Sequence, residues 1–277
     1  MIDTHCHLTF AEFEGRTAEE LADAGAAGVW GAITVSTTSD DASRCLELAR
    51  RHENLWCTAG VHPLYSDRGP HDWNALLRVA EDPLCVAWGE LGLDRYYSEP
   101  AEGVQRETLE GHLGAIVAAD GGGGPAAGKP IVLHCREAFA ELAPELERAG
   151  IAGERCVFHC FTGGPADMEV VLGLGAWVSF TGVLTYKNAA GVREAASMAP
   201  IDRVMVETDA PFLTPSPHRG VRPNEPKYVV HTASVLAEVF GAETGEFERT
   251  LDANAERFFG VGRESEKREA RSEHPER

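Results

Sequence analysis

The sequence predicts an α/β protein built as a single (β/α)8 TIM-like barrel with one further helix at its C-terminal end. Three observations lead to this prediction. Short apolar runs of strand length alternate with segments of helical periodicity as far as about residue 260. Eight such runs can be counted, and the chain length of 277 residues suits a barrel, which commonly takes about 250 residues. Histidines and carboxylates fall at the carboxyl ends of several runs, where a barrel gathers its functional groups.

The predicted elements follow one another in the order of repeated βα units. The apolar runs predict strands over residues 2–5, 29–35, 55–61, 85–91, 131–135, 156–160, 177–180 and 204–208. The helical segments between and after them include residues 41–51, 104–119, 138–149 and 167–174, with the additional helix at 247–259. Parallel strands joined by helices in this way are expected to form one closed barrel.

Two segments depart from this rhythm. Residues 120–130, DGGGGPAAGKP, are too rich in glycine for a helix, and they lack the strand-then-helix order of a phosphate-binding loop. We predict a flexible loop there, on the amino-terminal side of the barrel. Residues 261–277 contain almost no apolar side chains and mixed charges, so we predict a disordered tail after a barrel domain that spans 1–260.

Composition restricts the possible partners. The chain has 25 basic and 44 acidic residues, a formal charge of −19, which disfavours an extended, sequence-independent grip on duplex nucleic acid. Bound cations in a pocket can still reverse the local charge. The longest apolar runs have strand length and the N-terminus lacks the pattern of a signal peptide, so we expect a cytoplasmic protein without membrane association. No obligate protein partner is indicated.

The N-terminal stretch DTHCHL carries the first candidate metal ligands. In a strand, alternate side chains share a face, so His5 and His7 point one way and Cys6 the other. Two histidines are too few for a complete site. The remaining ligands are therefore expected elsewhere in the chain.

Other polar residues lie at the carboxyl ends of later strands, where barrels place catalytic groups. They are Glu90 in GELGLD, His134 in LHCRE, His159 in FHCFTG and Asp209 in ETDAPFLTP. One such histidine alone is more often a hydrogen-bonded core or loop residue, and the two acids taken alone could be helix caps. Their coincidence at one end of the barrel favours a metal centre.

Four histidines and two carboxylates are enough to hold two divalent ions. Imidazole and carboxylate ligands suit zinc, manganese, cobalt or nickel better than they suit magnesium. The candidate cofactors are two divalent ions, which could be zinc, manganese or magnesium. Glu90 is the predicted bridge, because its two oxygens can hold ions about 3.5–4 Å apart. We expect His5, His7 and Asp209 to hold one ion, and His134 and His159 the other. Asp209 is also placed to orient the attacking water or take its proton, so Glu90 and Asp209 are the predicted catalytic residues.

The sequence also resembles the TatD family of metal-dependent hydrolases, within the amidohydrolase-like barrels. Nine ordered blocks between residue 1 and about 260 carry the resemblance: DTHCHL, GVHP, GELGLD, LHCREA, FHCFTG, TYKNAAG, ETDAPFLTP, RGVRPNEP and NAERFFG. The resemblance implies a TIM-like barrel, a divalent metal centre and metal-dependent deoxyribonuclease activity, often with exonuclease character at the 3′ end. By position, the family's metal ligands fall on the same six residues.

Four further residues are predicted to contact substrate. His62, at the end of strand three, could bind a phosphate or support a metal ligand. Arg136 shares the face of His134 and carries a planar fork suited to phosphate, although an ion pair would explain it equally. Lys187 and Arg219 follow strands seven and eight, in regions that border the substrate cleft of the family.

These observations predict a two-metal phosphodiesterase that hydrolyses DNA, with 3′-to-5′ exonuclease action on ends or short oligonucleotides. Two alternatives stay open. One is an amidohydrolase-type enzyme acting on a small amide, lactone or phosphoester, although no lysine ends strand four to provide the carboxylated bridge common in that group. The other is a non-catalytic binding module, which the intact set of ligand positions disfavours.

Overall fold

The protein is a parallel β-barrel surrounded by helices. The computed structural model describes residues 1–262, and in this part of the chain the strands form one sheet in sequence order. The strands are β1 (Ile2–Cys6), β2 (Gly31–Thr34), β3 (Leu55–Ala59), β4 (Cys85–Asp94), β5 (Ile131–Arg136), β6 (Cys156–Phe158), β7 (Trp177–Phe180) and β8 (Val204–Val206). A parallel bridge joins Cys6, the last residue of β1, to Ala210 after β8, and the Ala210 carbonyl accepts the His7 amide at 2.8 Å. The predicted TIM-like barrel is confirmed.

One helix follows each strand, and a further helix completes the described part of the chain. They are α1 (Thr17–Ala26), α2 (Ser39–Ala49), α3 (Trp73–Ala80), α4 (Glu102–Gly122), α5 (Phe139–Arg148), α6 (Pro165–Gly173), α7 (Ala190–Ala196), α8 (Val229–Phe240) and α9 (Thr244–Phe259). The additional C-terminal helix starts earlier than residue 247, because the Glu243 carboxylate accepts the amide hydrogen of Glu246 at 2.8 Å and caps it. None of the described helices is long and apolar enough to cross a bilayer.

The amino-terminal half of the barrel interior is filled by apolar side chains. Each strand contributes at least one buried residue to this layer, among them Ile33, Val132 and Met205. Phe258 and Phe259 of α9 pack against the same cluster at the amino-terminal end of the barrel. The interior is therefore a packed core, and only its carboxyl end is free to carry polar groups.

Strand β4 is longer and less regular than its sequence predicts. It runs to Asp94, which lies opposite Arg136 in the parallel strand pairing with β5, whereas the apolar pattern ends at residue 91. Its pairing register with β5 shifts between Trp88 and Leu91. Such irregularities re-aim side chains, and Glu90 lies within the shifted stretch.

The glycine-rich segment at 120–130 is a loop only from Gly123 onward, so the predicted loop was wrong at its start. Helix α4 continues through Gly122 and ends where Gly123 adopts a φ of 64°. Asp120 fixes the following turn by accepting the Gly128 amide hydrogen at 2.7 Å and pairing with Arg155. Two glycines cost only about 1 kcal/mol each in a helix, which a long, packed helix tolerates. Of the predicted tail, residues 263–277 lie outside the described residues.

Candidate metal centre

The six predicted ligands lie together at the carboxyl end of the barrel. His5 and Glu90 belong to β1 and β4, His134 to β5, while His7, His159 and Asp209 follow β1, β6 and β8. Parallel strands bring these positions to one mouth, and all six side chains are largely buried there. Cys6, between the two N-terminal histidines, points into the layer between strands and helices, as strand alternation predicts.

Glu90 stands at the centre of this group, and its two oxygens face different histidines. Its Oε1 lies 2.6 Å from His159 Nε2 and 2.8 Å from His134 Nδ1. Its Oε2 lies 3.4 Å from His5 Nε2 and 3.9 Å from His7 Nε2. Asp209 lies on the same side of Glu90 as His7, with its Oδ1 3.3 Å from His7 Nε2. This is the arrangement of a carboxylate that can serve two cation positions.

Unsatisfied polar atoms support a cation at this centre. Glu90 Oε2 and His5 Nδ1 are buried, and neither finds a hydrogen-bond partner among residues 1–262. Leaving a buried carboxylate oxygen without a partner is costly. The Oε2 atom lies among imidazole nitrogens, and one ligand atom each from His5, His7 and Glu90 can be chosen within 4.8 Å of one another. These residues therefore fit a divalent ion with nitrogen and oxygen ligands.

The two carboxylates of the site have the charge that metal binding requires. Burial opposes ionisation of Glu90, but the surrounding histidines hold its pKa well below the usual value. Burial likewise opposes ionisation of Asp209, and the hydrogen bond with His7 lowers its pKa. Burial opposes protonation of His159, yet Glu90 and Glu207 raise its pKa well above the ordinary range. A metal ion would replace such protons, because ligating imidazoles must be neutral.

Two further carboxylates contact the ring nitrogens of His134 and His159 that point away from Glu90. Asp94 Oδ2 lies 2.9 Å from His134 Nε2, and its other oxygen accepts the backbone amides of Tyr96 and Tyr97. Glu207 Oε1 lies 3.3 Å from His159 Nδ1. Partners of this kind fix the tautomer and the direction of a metal-binding imidazole.

Sequence reasoning missed Asp94 and Glu207, although both stand in strand-end blocks that it singled out. Asp94 lies four residues after Glu90, at the end of the extended β4, and Glu207 lies two residues before Asp209. The signal was present as a second acid within each block. The signal from Asp94 could not be interpreted without knowing that β4 extends to this residue.

His62 lies as close to Glu90 as a metal ligand would, but its two ring nitrogens have hydrogen-bonding roles opposite to those expected of a ligand. Its Nε2 is 3.3 Å from Glu90 Oε1, and its Nδ1 accepts the Leu64 amide hydrogen at 2.9 Å. Burial lowers the pKa of His62 to about 3, so the imidazole is neutral and its proton must reside on Nε2. An Nε2–H group donates a hydrogen bond and offers no lone pair to a metal. His62 therefore fits a donor to Glu90 or to a bound anion better than a metal ligand.

The other predicted substrate residues lie on the rim of the mouth. The Arg136 guanidinium lies 3.6 Å from the centre of the Tyr96 ring, and that of Arg219 lies 4.1 Å from the centre of the Tyr186 ring. The exposed Lys187 directly follows Tyr186. Within residues 1–262, no carboxylate lies within 4 Å of Arg136 or Arg219, so the ion pair considered for Arg136 is not formed.

Comparisons with known proteins all point to the same protein family. The sequence profile of the family described as TatD related DNase matches residues 2–260. The chain is 33% identical over 264 residues to the uncharacterized metal-dependent hydrolase YcfH of Escherichia coli K12, covering 94% of this chain and 96% of that one. It is 35% identical over 272 residues to the 3′-5′ ssDNA/RNA exonuclease TatD of Klebsiella pneumoniae, covering 94% and 98%. The crystal structure of YJJV, a TatD homolog from Escherichia coli, superposes with a TM-score of 0.83 at 28% identity, covering 95% and 98%.

Proposed function

Because the chain belongs to the family of TatD related DNases and is a metal-dependent hydrolase, we propose that it removes nucleotides from the 3′ end of single-stranded DNA with two divalent ions bridged by Glu90. The observation that carries this proposal is the position of Glu90, whose Oε1 faces His134 and His159 while its Oε2 faces His5 and His7. The substrate class is supported by the Klebsiella pneumoniae relative, whose name assigns it single-stranded DNA and RNA.

Each residue of the centre has a distinct part in the proposed reaction. His5, His7 and Asp209 would hold one ion, His134 and His159 the other, and Glu90 both. Bound ions would supply an acidified water and neutralise charge on the phosphate. The ionised Asp209 carboxylate, 14% exposed and so open to the mouth, would orient the attacking water and accept its proton. His62 would donate its Nε2–H to a phosphate oxygen.

The lysines of the described chain argue against the amidohydrolase alternative. Lys129 precedes β5 and donates to backbone carbonyls at the amino-terminal end of the barrel, including that of Asp82 at 3.2 Å. Lys227 pairs with Asp23 and Glu225, and Lys187 is exposed. None of these three is placed to form a carboxylated bridge, which supports Glu90 as the proposed bridging group.

The test is cleavage of 5′-labelled single-stranded DNA by protein stripped with a chelator and refilled with manganese, zinc or magnesium. We expect stepwise shortening from the 3′ end and about two ions per chain by mass spectrometry. Glu90→Gln should lose an ion and at least about 100-fold of the activity, since loss of even an outer partner of a metal ligand costs about 10–100-fold. Glu81→Gln, an exposed acid at the end of α3, is the matched control. Full activity of Glu90→Gln, or cleavage by metal-free protein, would contradict the proposal.

A further inference from the structure

A cleft of about 390 Å³ opens beside the metal centre, between the loops that follow β1, β2 and β3. We call it the Tyr65 cleft. The residues that matter to its chemistry are Thr9, Phe10, Thr37, Arg44, Tyr65 and Arg68. Its volume lies in the range of small-ligand sites, roughly 300–1,000 Å³, and sequence reasoning singled out none of these residues.

Two aromatic rings join the Tyr65 cleft to the metal centre. The Phe10 ring stacks on the His7 ring, with centroids 5.0 Å apart and an angle of 25° between the planes. The Tyr65 ring meets the His62 ring edge-on, with centroids 5.8 Å apart. A group held in the cleft is therefore a direct neighbour of a phosphate held at Glu90. Aromatic side chains are the surfaces on which proteins stack unpaired bases.

The Tyr65 cleft also contains an arginine, Arg68, that forms no ion pair within residues 1–262. The Arg68 guanidinium is exposed and lies 3.9 Å from the centre of the Tyr65 ring. No carboxylate among residues 1–262 lies within 4 Å of it. Two acids, Asp41 and the exposed Glu14, line the cleft. Asp41 is already engaged, because its Oδ2 accepts the Thr37 amide at 3.0 Å and its Oδ1 lies 3.8 Å from Arg44. In a chain with 44 acidic and 25 basic residues, an unpaired arginine at this place is suited to a phosphate.

We propose that the Tyr65 cleft binds the nucleotide next to the scissile phosphate, with its base against Phe10 and Tyr65 and its phosphate at Arg68. The proposal rests on the proposed function as a nuclease and adds a subsite to it. A base stacked on these rings cannot remain paired in a duplex, so the cleft selects single strands. Because every base has an aromatic face, the selection is independent of sequence.

The test compares two substrates in the metal-loaded protein. Bis(4-nitrophenyl) phosphate reports hydrolysis at the metal centre without a strand, and a 5′-fluorescein oligothymidylate reports the extended site. The variants are Tyr65→Leu and Arg68→Met. The control is Arg249→Met, which removes an exposed arginine from α9, the helix at the amino-terminal end of the barrel.

We expect Tyr65→Leu to raise the KM for the oligothymidylate about 5- to 150-fold, the range that loss of one stacked base implies. Arg68→Met should also raise this KM, because it removes a phosphate contact. The kcat/KM for the small diester should fall much less, and Arg249→Met should match the wild type on both substrates. In Arg68→Met the slope of log KM against log salt should fall by about 0.7, as expected for one lost phosphate contact on a single strand.

Three results would overturn the proposal, and they separate it from the proposed function. Unchanged oligothymidylate KM in both variants, with normal cleavage, removes the subsite and leaves the nuclease function intact. Equal losses on the two substrates mean that the residues only support the metal centre. Hydrolysis of the diester by the wild type without any cleavage of the oligothymidylate removes both the nuclease function and the subsite.

Discussion

At the scale of single residues, the hydrogen bonds of each imidazole's two nitrogens distinguish the proposed metal ligands from the proposed hydrogen-bond donor His62. His7 turns its Nδ1 to the Val35 carbonyl at 2.9 Å, and His159 turns its Nδ1 to Glu207. The other nitrogen of each faces Glu90 or Asp209, where a neutral imidazole would offer its lone pair to a metal ion. His62 has the reverse arrangement, because a backbone amide occupies its Nδ1.

Replacement of His62 should therefore spare the metal and impair the reaction. We expect His62→Asn to retain the wild-type metal content and to lose about 10- to 100-fold in kcat/KM, since a hydrogen bond to a charged group contributes about 1.5–3 kcal/mol. His159→Asn should lose an ion. Metal content and kinetics measured on the same preparations decide this, and loss of an ion from His62→Asn would make His62 a ligand.

Asp94 should act on the metal through His134. We expect Asp94→Asn to weaken zinc binding about 10- to 100-fold, because a carboxylate behind a ligating histidine fixes its orientation and raises its basicity. Competition with a fluorescent zinc chelator measures this affinity. The activity of the variant should recover at saturating metal, which a general loss of structure would not allow. Asp202→Asn, at an exposed acid before β8, is the control.

At the scale of elements, glycines in β4 let this strand approach its neighbour. Gly92 has a φ of 146°, and a Cβ atom there would lie 2.0 Å from the His134 carbonyl oxygen. Gly114 of α4 has open space where its Cβ would be. The same substitution should thus have opposite effects at the two positions.

We expect Gly92→Ala to lower the free energy of unfolding by at least about 1–3 kcal/mol. This is the usual cost of one strained backbone position, and the clash with the His134 carbonyl adds to it. Gly114→Ala should raise it by about 0.5–1 kcal/mol, because alanine is the better helix former. Urea denaturation of both variants measures the two changes. A neutral Gly92→Ala would mean that β4 and β5 separate easily, contrary to the close pairing seen here.

His112 ties α4 to the end of β3 and makes stability depend on pH. It is fully buried, its Nε2 accepts the Val61 amide hydrogen at 3.0 Å, and its Nδ1 faces the Thr108 carbonyl at 2.9 Å. Burial lowers the pKa of His112 from 6.5 to about 4. Above pH 6.5 both states are neutral, so the contribution of the neutral form is complete. Between pH 6.5 and about 4 only the unfolded chain gains the proton, and stability falls.

The stability difference between the wild type and His112→Gln should therefore shrink as the pH falls from 7 to 4, by up to about 3 kcal/mol. Urea denaturation over this pH range measures it. A constant difference over this range would mean that the folded protein accepts the proton at His112.

At the scale of the whole molecule, the proposed metal ligands come from five strands or the residues directly after them, so bound metal would join distant parts of the barrel. Metal should stabilise the fold by about 2.7 kcal/mol per site at a free concentration of 100 times Kd. For a chain of this size each kcal/mol raises Tm by roughly 2–4 °C. Differential scanning calorimetry with and without manganese or zinc measures this increase, which Glu90→Gln should reduce.

The stabilisation by metal should be greater at pH 8 than at pH 6. Burial opposes protonation of His7 and His134, but their carboxylate partners raise both pKa values. Protons therefore compete with metal more strongly as the pH falls. An equal Tm increase at both pH values would show that the histidines bind metal without releasing protons.

Sequence periodicity alone determined the barrel and its polar end. Alternating apolar runs and helical segments specify βα units, and parallel strands necessarily bring their carboxyl ends together, so His5, Glu90 and Asp209 could be placed at one mouth from their positions in the chain. The predicted limits were wrong where tertiary contacts override local pattern, as in the extension of β4 to Asp94 and of α4 to Gly122.

Only the tertiary structure decided how the polar groups are used. The tautomer of His62 depends on a backbone amide, the orientation of His134 on Asp94, and the Tyr65 cleft on the meeting of three loops. The sequence records which residue follows which strand, and strand order converts that into proximity. The direction of a hydrogen bond and the shape of a cleft depend on the distances between segments that are far apart in the chain. Differences of a few tenths of an ångström in these distances matter, and no local sequence pattern encodes them.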